Sequence, residues 1–327
     1  MKKLTLLLSM LLSLAACKGG GSYLPNVSGK AGEILVVMEK SAWEGAPGND
    51  IRALLACDCP YLAQQEPLYT LVNVVPSGFT DLFKVHRNII IVNINPEAEK
   101  AEVYSKHDVW AAPQCVIQVE SPDVEGISRI IQERSELIVS SIEQAERDRV
   151  IANCKQYEQG EIALKIKEVF PGSPHFPIGY KLRKISSDFA WIADDKQYSN
   201  QIILLYRYPV EEEPFTLDKI VAHRNETMKA NVPGMFENTY MTTSTYFPLD
   251  LKYISYKNRS IAQLRGMWEV ENDFMGGPFV SHSFYSPDGK EIIVAEAFVY
   301  APKYDKRQYL RQVESILYSW EWNEQSE

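Results

Sequence analysis

The residue types best suited to chemistry lie close together in residues 261–284. This stretch contains Arg265, Glu269 and His282, and it also contains the pair Gly276-Gly277. The planar guanidinium group of arginine can hold an anionic group with two parallel hydrogen bonds. Paired glycines let the backbone come close to a ligand or to another segment of the chain. The stretch therefore predicts a ligand site. Its alternative is the site of an envelope hydrolase acting on peptide, glycan or lipid.

The surrounding pattern also permits a simpler structure. On a β-strand Arg265 and Glu269 face the same side, so they could form a solvent-exposed ion pair that contributes little. Gly276-Gly277 and the proline that follows could form an ordinary turn between two strands. Trp268 joins the candidate site because aromatic side chains anchor binding surfaces.

Sequence motifs of common enzymes are absent from the chain. It has no Gly-x-Ser-x-Gly, no His-Glu-x-x-His, no Cys-x-x-Cys, and no phosphate-binding or dinucleotide-binding glycine pattern. Its five histidines are scattered, which is not typical of a metal site. Catalytic residues therefore stay unassigned, and we expect no cofactor and no metal. A non-enzymatic module that binds a partner or a ligand is the favoured function.

Composition limits the partners. The 327 residues include 34 basic and 43 acidic ones, for a formal net charge of −9. An acidic chain is a poor binder of nucleic acid and is not attracted to anionic lipid. The apolar content of 45% is ordinary, and the length suffices for two cores.

The N-terminus has the layout of an export signal. Lys2 and Lys3 precede an apolar run over residues 4–14, and Leu14-Ala15-Ala16-Cys17 follows. This quartet is similar to a bacterial lipobox, which implies cleavage before Cys17 and lipidation of its side chain. An ordinary signal peptide with a chance cysteine is the alternative, whereas the apolar run is too short for a transmembrane helix.

The predicted anchor also bears on location and partners. Because the body is acidic, membrane attachment must come from acyl chains on Cys17. Lys18, rather than an acidic residue, follows the cysteine, which resembles lipoproteins sent to the outer membrane. We therefore expect an outer-membrane lipoprotein that faces the periplasm and binds an envelope protein or a small ligand. The remaining cysteines are Cys57, Cys59, Cys115 and Cys154. They could form disulfide bonds outside the cytoplasm, but buried free thiols are favoured because a large core is stable without disulfide bonds.

Hydrophobic periodicity predicts an α+β fold. The first half combines β-branched runs, which favour a mixed sheet, with a long helix that begins at Ser121-Pro122-Asp123. The second half is richer in alternating strands and favours an antiparallel sheet covered by helices on one face. The proline-rich stretch 170–177 marks the boundary between them. The predicted organisation is a signal peptide (1–16), a lipidated flexible tether (17–32), an N-terminal α/β domain ending in a long helix (33–170) and a C-terminal antiparallel α+β domain (171–327).

Several motifs are similar to those of a family of bacterial lipoproteins of about this length, known only as a domain of unknown function. The motifs in the second half are Tyr240-Met241-Thr242-Thr243, Arg265-Gly266-Met267-Trp268-Glu269-Val270, Phe274-Met275-Gly276-Gly277-Pro278-Phe279 and Phe298-Val299-Tyr300-Ala301-Pro302. Those in the first half are Gly32-Glu33-Ile34-Leu35-Val36-Val37 and Phe83-Lys84-Val85-His86-Arg87-Asn88. The resemblance implies no substrate, cofactor or catalytic residue.

Overall fold

A computed structural model describes residues 24–323 of the chain. The predicted signal peptide, the lipobox and Cys17 lie outside these residues. Among the described residues no helix is long and apolar enough to cross a membrane.

The described residues form an α+β protein, as the sequence predicts. Its helices are α1 (Lys40–Glu44), α2 (Ala46–Leu55), α3 (Asp81–Lys84), α4 (Val124–Glu133), α5 (Ser135–Gln156), α6 (Gly160–Lys167), α7 (Leu217–Asn231) and α8 (Arg307–Tyr318). Its strands are β1 (Glu33–Val37), β2 (Thr70–Val74), β3 (Asn88–Ile94), β4 (Glu102–His107), β5 (Cys115–Ser121), β6 (Gly172–Ser173), β7 (Lys181–Ile185), β8 (Phe189–Lys196), β9 (Ser199–Pro209), β10 (Met241–Thr243), β11 (Asp250–Tyr256), β12 (Arg259–Val270), β13 (Gly276–Tyr285), β14 (Glu291–Tyr300) and β15 (Glu321–Trp322).

The chain divides into two compact units. The first contains the chain up to Pro47 together with Val72–Arg134, and the second contains Gly48–Leu71 and the chain from Ser135 onward. This division differs from the predicted boundary at residue 170. The predicted long helix is two helices that meet at Arg134, whose backbone N–H is shared between two carbonyl groups of α4. The second of them, α5, packs on α8 and so belongs to the second unit.

The first unit is built on a mixed sheet in the order β2-β1-β3-β5-β4. Strand β3 runs parallel to β1 and β5, while β4 runs antiparallel to β5. Helix α4 packs on this sheet through Ile127 and Ile131, and the Asp123 side chain caps its N-terminus by accepting from Gly126 N at 2.7 Å. The prediction of a mixed sheet beside a helix is therefore confirmed.

The part of the predicted tether that the structure describes pairs with the first unit. Ser28 N donates to Val85 O at 2.8 Å, and Ser28 O accepts from Arg87 N at 3.0 Å. Closer to the N-terminus, Pro25 O accepts from Ala112 N at 2.9 Å. Backbone hydrogen bonds therefore hold residues 25–28 against the first unit, and they satisfy backbone N–H and C=O groups on both sides.

The second unit is built on a large antiparallel sheet in the order β10-β12-β13-β14-β9-β8-β7, with β11 also paired to β12. Helices cover both of its faces rather than one. Side chains of β9 show why: Ile203 packs in the cluster that contains Val313 of α8, and its neighbour Ile202 packs in the cluster that contains Met228 of α7. Successive strand residues point to opposite faces, so a continuous apolar run requires cover on both.

The proline-rich stretch 170–177 lies inside the second unit, not between domains. Phe170 and Phe176 are buried in its core, and β6 pairs there with β15. Burial of the two phenylalanines stabilises this stretch inside the unit even though its prolines interrupt regular structure, because burying one phenylalanine side chain contributes about 1.5–3 kcal/mol.

Candidate functional site

The six predicted ligand-binding residues all lie on β12 and β13, but they do not converge on one site. Arg265 lines one cavity of the second unit, while Trp268, Glu269, Gly276 and Gly277 line another. Trp268 is separated from Arg265 because successive strand residues point to opposite faces, whereas Glu269 shares the face of Arg265 but lies four residues further along β12.

The glycine pair serves strand packing. Gly276 and Gly277 begin β13 itself, so the connection between the strands is residues 271–275 rather than the predicted Gly-Gly-Pro turn. A Cβ atom on Gly277 would lie 2.2 Å from Val299 O and 3.0 Å from Trp268 Nε1. Trp268 is buried and contacts the ring of Phe298 edge-on at 5.3 Å. The close approach that the glycines allow is therefore to another segment of the chain.

His282 is completely buried on β13. Burial, followed by the positive charges of Arg265, Arg259 and Arg147, holds the pKa of this imidazole well below its ordinary value. The side chain is accordingly neutral, and it cannot meet a substrate directly. The trio Arg265, Glu269 and His282 thus does not form the predicted hydrolase site.

A buried amide links His282 to the cavity lined by Arg265. Gln263 Nε2 donates to Tyr318 Oη at 2.9 Å and lies 3.0 Å from His282 Nε2. Because an amide N–H donates, His282 Nε2 must accept, which places the imidazole proton on Nδ1. Gln263 Oε1 in turn accepts from Arg265 Nε at 3.2 Å. This buried network holds the Arg265 guanidinium in one orientation.

The cavity lined by Arg265 is the candidate site, and we call it the charged cleft. It has a volume of about 500 Å³ and lies wholly within the second unit, between α5, α8, strands β11 and β12, and the loop that follows α2. The basic side chains that line it are Arg147, Lys252, Arg265, Arg307 and Arg311. The acidic ones are Glu136, Glu143, Asp250 and Glu314.

Two of these basic groups are paired within the cleft. Arg265 Nη2 donates to Glu314 Oε1, and Lys252 Nζ lies 3.1 Å from Asp250 Oδ2. Burial opposes the charge on Arg265, but the charges of Glu314, Tyr318 and Glu143, with the hydrogen bond to Glu314, together outweigh burial and raise the pKa of the guanidinium. Arg265 therefore stays charged.

Arg307 and Arg311 lie one turn apart on α8 and hold the loop before β2. Arg311 Nη2 donates to Leu68 O at 3.1 Å, and its guanidinium lies 4.6 Å from the centre of the Tyr69 ring. Arg307 donates to Pro67 O, and burial followed by the charge of Arg311 lowers the pKa of its guanidinium. Both guanidinium groups are held by neutral carbonyls rather than by an ion pair, although the charge of Glu66 acts on Arg307.

Arg147 reaches the cleft from α5. Its guanidinium carbon lies 3.8 Å from the centre of the Tyr318 ring, and its Nη1 donates to Gln144 Oε1 at 2.9 Å. A guanidinium group over an aromatic ring keeps its N–H donors at its own edge, where they can meet a ligand.

Sequence reasoning missed the main residues of the cleft. Arg307, Arg311, Glu314 and Tyr318 recur at intervals of four, three and four residues, which places them on one face of a helix. That signal was present, but the match with Arg147 of α5 depends on helix packing and could not be read from spacing.

A second cavity of the unit contains most of the predicted residues, and we call it the aromatic groove. Its volume is about 970 Å³, and it is lined by Trp268, Glu269, Gly276 and Gly277. Phe274 at its rim is fully exposed. The groove is wide and holds no buried guanidinium, so the charged cleft is the better-formed site.

Polar chemistry also occurs in the core of the second unit. Arg224 of α7 and Glu296 of β14 are both fully buried, and Arg224 Nη2 donates to Glu296 Oε1 at 2.8 Å. Arg224 Nε donates to the same carboxylate, and Arg224 Nη1 donates to Thr243 Oγ1 at 2.9 Å. The pair is closed to solvent and satisfies itself, which is typical of a structural element.

Cys59 is the one cysteine among the described residues that lines the charged cleft. The four cysteines of the described residues are free; Cys115 and Cys154 are buried, whereas Cys57 is exposed and Cys59 half-buried, unlike the predicted buried thiols. Within residues 24–323 no cluster of His, Cys, Asp or Glu side chains is arranged to hold a metal ion.

Most of the second unit matches a sequence-family model. Residues 160–319 match the Domain of unknown function (DUF4837). Residues 27–155 match another family, the Domain of unknown function (DUF8532). Models of two domains of unknown function therefore cover most of the chain, which confirms the predicted resemblance to a domain of unknown function but not its lipoprotein part. The charged cleft takes α8, β11 and β12 from the DUF4837 region, and α5 from the end of the DUF8532 region.

Comparison with curated protein sequences gives no match. Three solved structures show a distant likeness. A protein of Bacteroides thetaiotaomicron is 11% identical with a TM-score of 0.27, over 48% of this chain and 47% of that one. The Ran-binding protein Mog1p of Saccharomyces cerevisiae is 9% identical with a TM-score of 0.32, over 46% and 89%. LpqN of Mycobacterium tuberculosis, involved in cell envelope biogenesis, is 17% identical with a TM-score of 0.26, over 45% and 81%.

This chain spans about half the length of the Bacteroides protein. At these TM-scores the likeness carries no argument about function.

Proposed function

We propose that this chain is an exported, lipid-anchored binding protein that holds a small polar ligand in its charged cleft. The observation that carries the proposal is the set of guanidinium groups held in place around one cavity. Arg147 and Arg311 lie against tyrosine rings, and Arg265 is fixed by Glu314 and Gln263. Groups that are already positioned lose little conformational entropy when a ligand binds.

Binding is favoured over catalysis by the state of the reactive groups. His282 beneath the cleft is neutral and closed to solvent. Cys59 lines the cleft, but burial raises the pKa of its thiol. A protonated thiol is a poor nucleophile, so the cleft offers positioning groups rather than an activated attacker.

Native mass spectrometry of the protein purified from its own cells tests the cleft. We expect a stoichiometric small molecule on the wild-type chain and its loss from Arg311→Gln. Arg183→Gln is the matched control, since Arg183 is an exposed arginine of the same unit that pairs with Asp195. Wild-type protein that carries no small molecule, and that shows no calorimetric binding of phosphate, succinate or L-alanyl-L-alanine, would remove the proposal.

Anchoring by Cys17 is tested by Cys17→Ser. Because acyl chains supply the attachment, the variant should move from the membrane fraction to the soluble periplasmic fraction while keeping its fold. Cys57→Ser is the control, because Cys57 is an exposed free cysteine of the body. A Cys17→Ser protein that stays fully membrane-bound would contradict the anchor. Protection from external protease on intact cells would support the periplasmic face of the outer membrane.

A further inference from the structure

Two acidic side chains of the charged cleft form no ion pair with the residues that the structure describes, although the charge of one of them, Glu143, acts on Arg265. Glu136 and Glu143 of α5 both line the cleft, two turns apart on the same face of the helix. Within residues 24–323 neither carboxylate makes a hydrogen bond or an ion pair. By contrast, Glu314 and Asp250 are neutralised by Arg265 and Lys252.

On α8 the same cleft holds positive charge without a carboxylate partner. The side chains of Arg307 and Arg311 bind backbone carbonyls of residues 67–68, and no described carboxylate lies within ion-pair distance of either. The cleft therefore presents two carboxylates without an ion pair on α5, beside Arg147 of the same helix, and two guanidinium groups without an ion pair on α8.

From this arrangement we propose that the ligand is a zwitterion, an α-amino acid or a short peptide with a free ammonium and a free carboxylate. The proposal rests on the proposed binding function of the cleft. The carboxylate of the ligand binds Arg307 and Arg311. The ammonium of the ligand binds Glu136 and Glu143. Both kinds of charge in the cleft are then paired, which a ligand of single charge cannot do.

Discrimination follows from the same charges. A purely anionic ligand meets Glu136 and Glu143, and a purely cationic one meets the guanidinium groups, so each leaves like charges close together. The volume of about 500 Å³ is in the range of small-ligand pockets and accommodates a peptide of a few residues.

Calorimetry with L-alanyl-L-alanine and its two blocked forms tests the proposal on the full-length Cys17→Ser protein near pH 7, where both ends of the free dipeptide are charged. N-acetylation removes the ammonium, and amidation removes the carboxylate. We expect the free dipeptide to bind about tenfold tighter, or more, than either blocked form, because each lost charge removes a charge-assisted hydrogen bond.

Matched variants assign the two ends. Glu143→Gln should abolish the preference over the N-acetyl form and keep the preference over the amide, whereas Glu168→Gln, an exposed acidic control in the same unit, should change neither. Arg311→Gln should abolish the preference over the amide. Arg311→Lys keeps the charge and should retain much of it, which separates loss of charge from loss of fold.

The outcomes distinguish the inference from the function on which it rests. Equal binding of the N-acetyl form and the free dipeptide would overturn the zwitterion while leaving a binding cleft in place. Wild-type protein that binds phosphate or succinate but no dipeptide would do the same. Absence of binding by every probe would count against the binding function itself.

Discussion

Arg224 and Arg311 both lie against an aromatic ring in the second unit, but their hydrogen-bonding groups are used differently. Arg224 is fully buried over Phe279 and gives its donors to Glu296 and Thr243. Arg311 stacks on Tyr69 at a cavity wall and binds only neutral oxygens. One guanidinium is consumed by the fold, while the other keeps a charge that a ligand can neutralise. Comparing them separates an arginine that stabilises from one that recognises.

The largest expected effect comes from breaking the buried pair. Glu296→Gln keeps the shape of the side chain but leaves the Arg224 charge uncompensated, so we expect a loss of about 3–5 kcal/mol in the free energy of unfolding. Urea unfolding measures it. Glu291→Gln is the control on the same strand, because its pair with Arg207 is partly exposed and should be worth under about 1 kcal/mol. Equal losses in the two variants would show that Arg224 is not a structural element.

The next effect is the pH dependence that His282 imposes. Its pKa in the folded protein lies well below the ordinary 6.5, because burial opposes the charge. The unfolded chain therefore binds a proton near that pH that the folded chain does not. Stability is fully present above about pH 6.5 and falls on acidification, by at most about 1.4 kcal/mol per pH unit. His282→Gln should flatten this slope in urea titrations at several pH values. If the free energy of unfolding depends on pH equally in the variant and the wild type, His282 is not the source of the pH dependence.

The smallest effect on stability is expected at the cleft. Arg311→Gln removes one charge-assisted hydrogen bond of a partly exposed group, so unfolding should change by about 1.5 kcal/mol or less. Ligand binding should nevertheless be lost, whereas Glu296→Gln should retain it under conditions where that variant is folded. Thermal unfolding and calorimetry on the same samples check both parts. A loss of stability as large as that of Glu296→Gln would erase the distinction between the two arginines.

Local patterns predicted much of the fold. The alternation of β12 and the start of α4 come from interactions within a few residues, so they could be read directly, although the cap is Asp123 where the sequence favoured Ser121. The domain boundary could not, because it depends on which side chains α5 meets. The break at Arg134 carries no proline or glycine, and only the packing of α5 on α8 reveals it.

The candidate site shows the same limit. Arg265 was predicted as a ligand-binding residue, and it lines the charged cleft. Trp268 and Gly277 were predicted beside it because they are neighbours in sequence, but they pack against each other in the other layer. A strand sends adjacent side chains to opposite faces, so closeness in sequence misled where alternation would have separated them.

By itself the sequence determined the α+β class, the acidic surface charge and the prediction of an anchored N-terminus, because periodicity, composition and a short motif are local properties. Only the tertiary structure decided where charge is neutralised. Whether an arginine meets a carboxylate, a carbonyl or a ring depends on residues distant in sequence, and Arg147 with Tyr318 and Arg311 with Leu68 are each more than a hundred positions apart. Such pairings are set by how helices pack on a sheet.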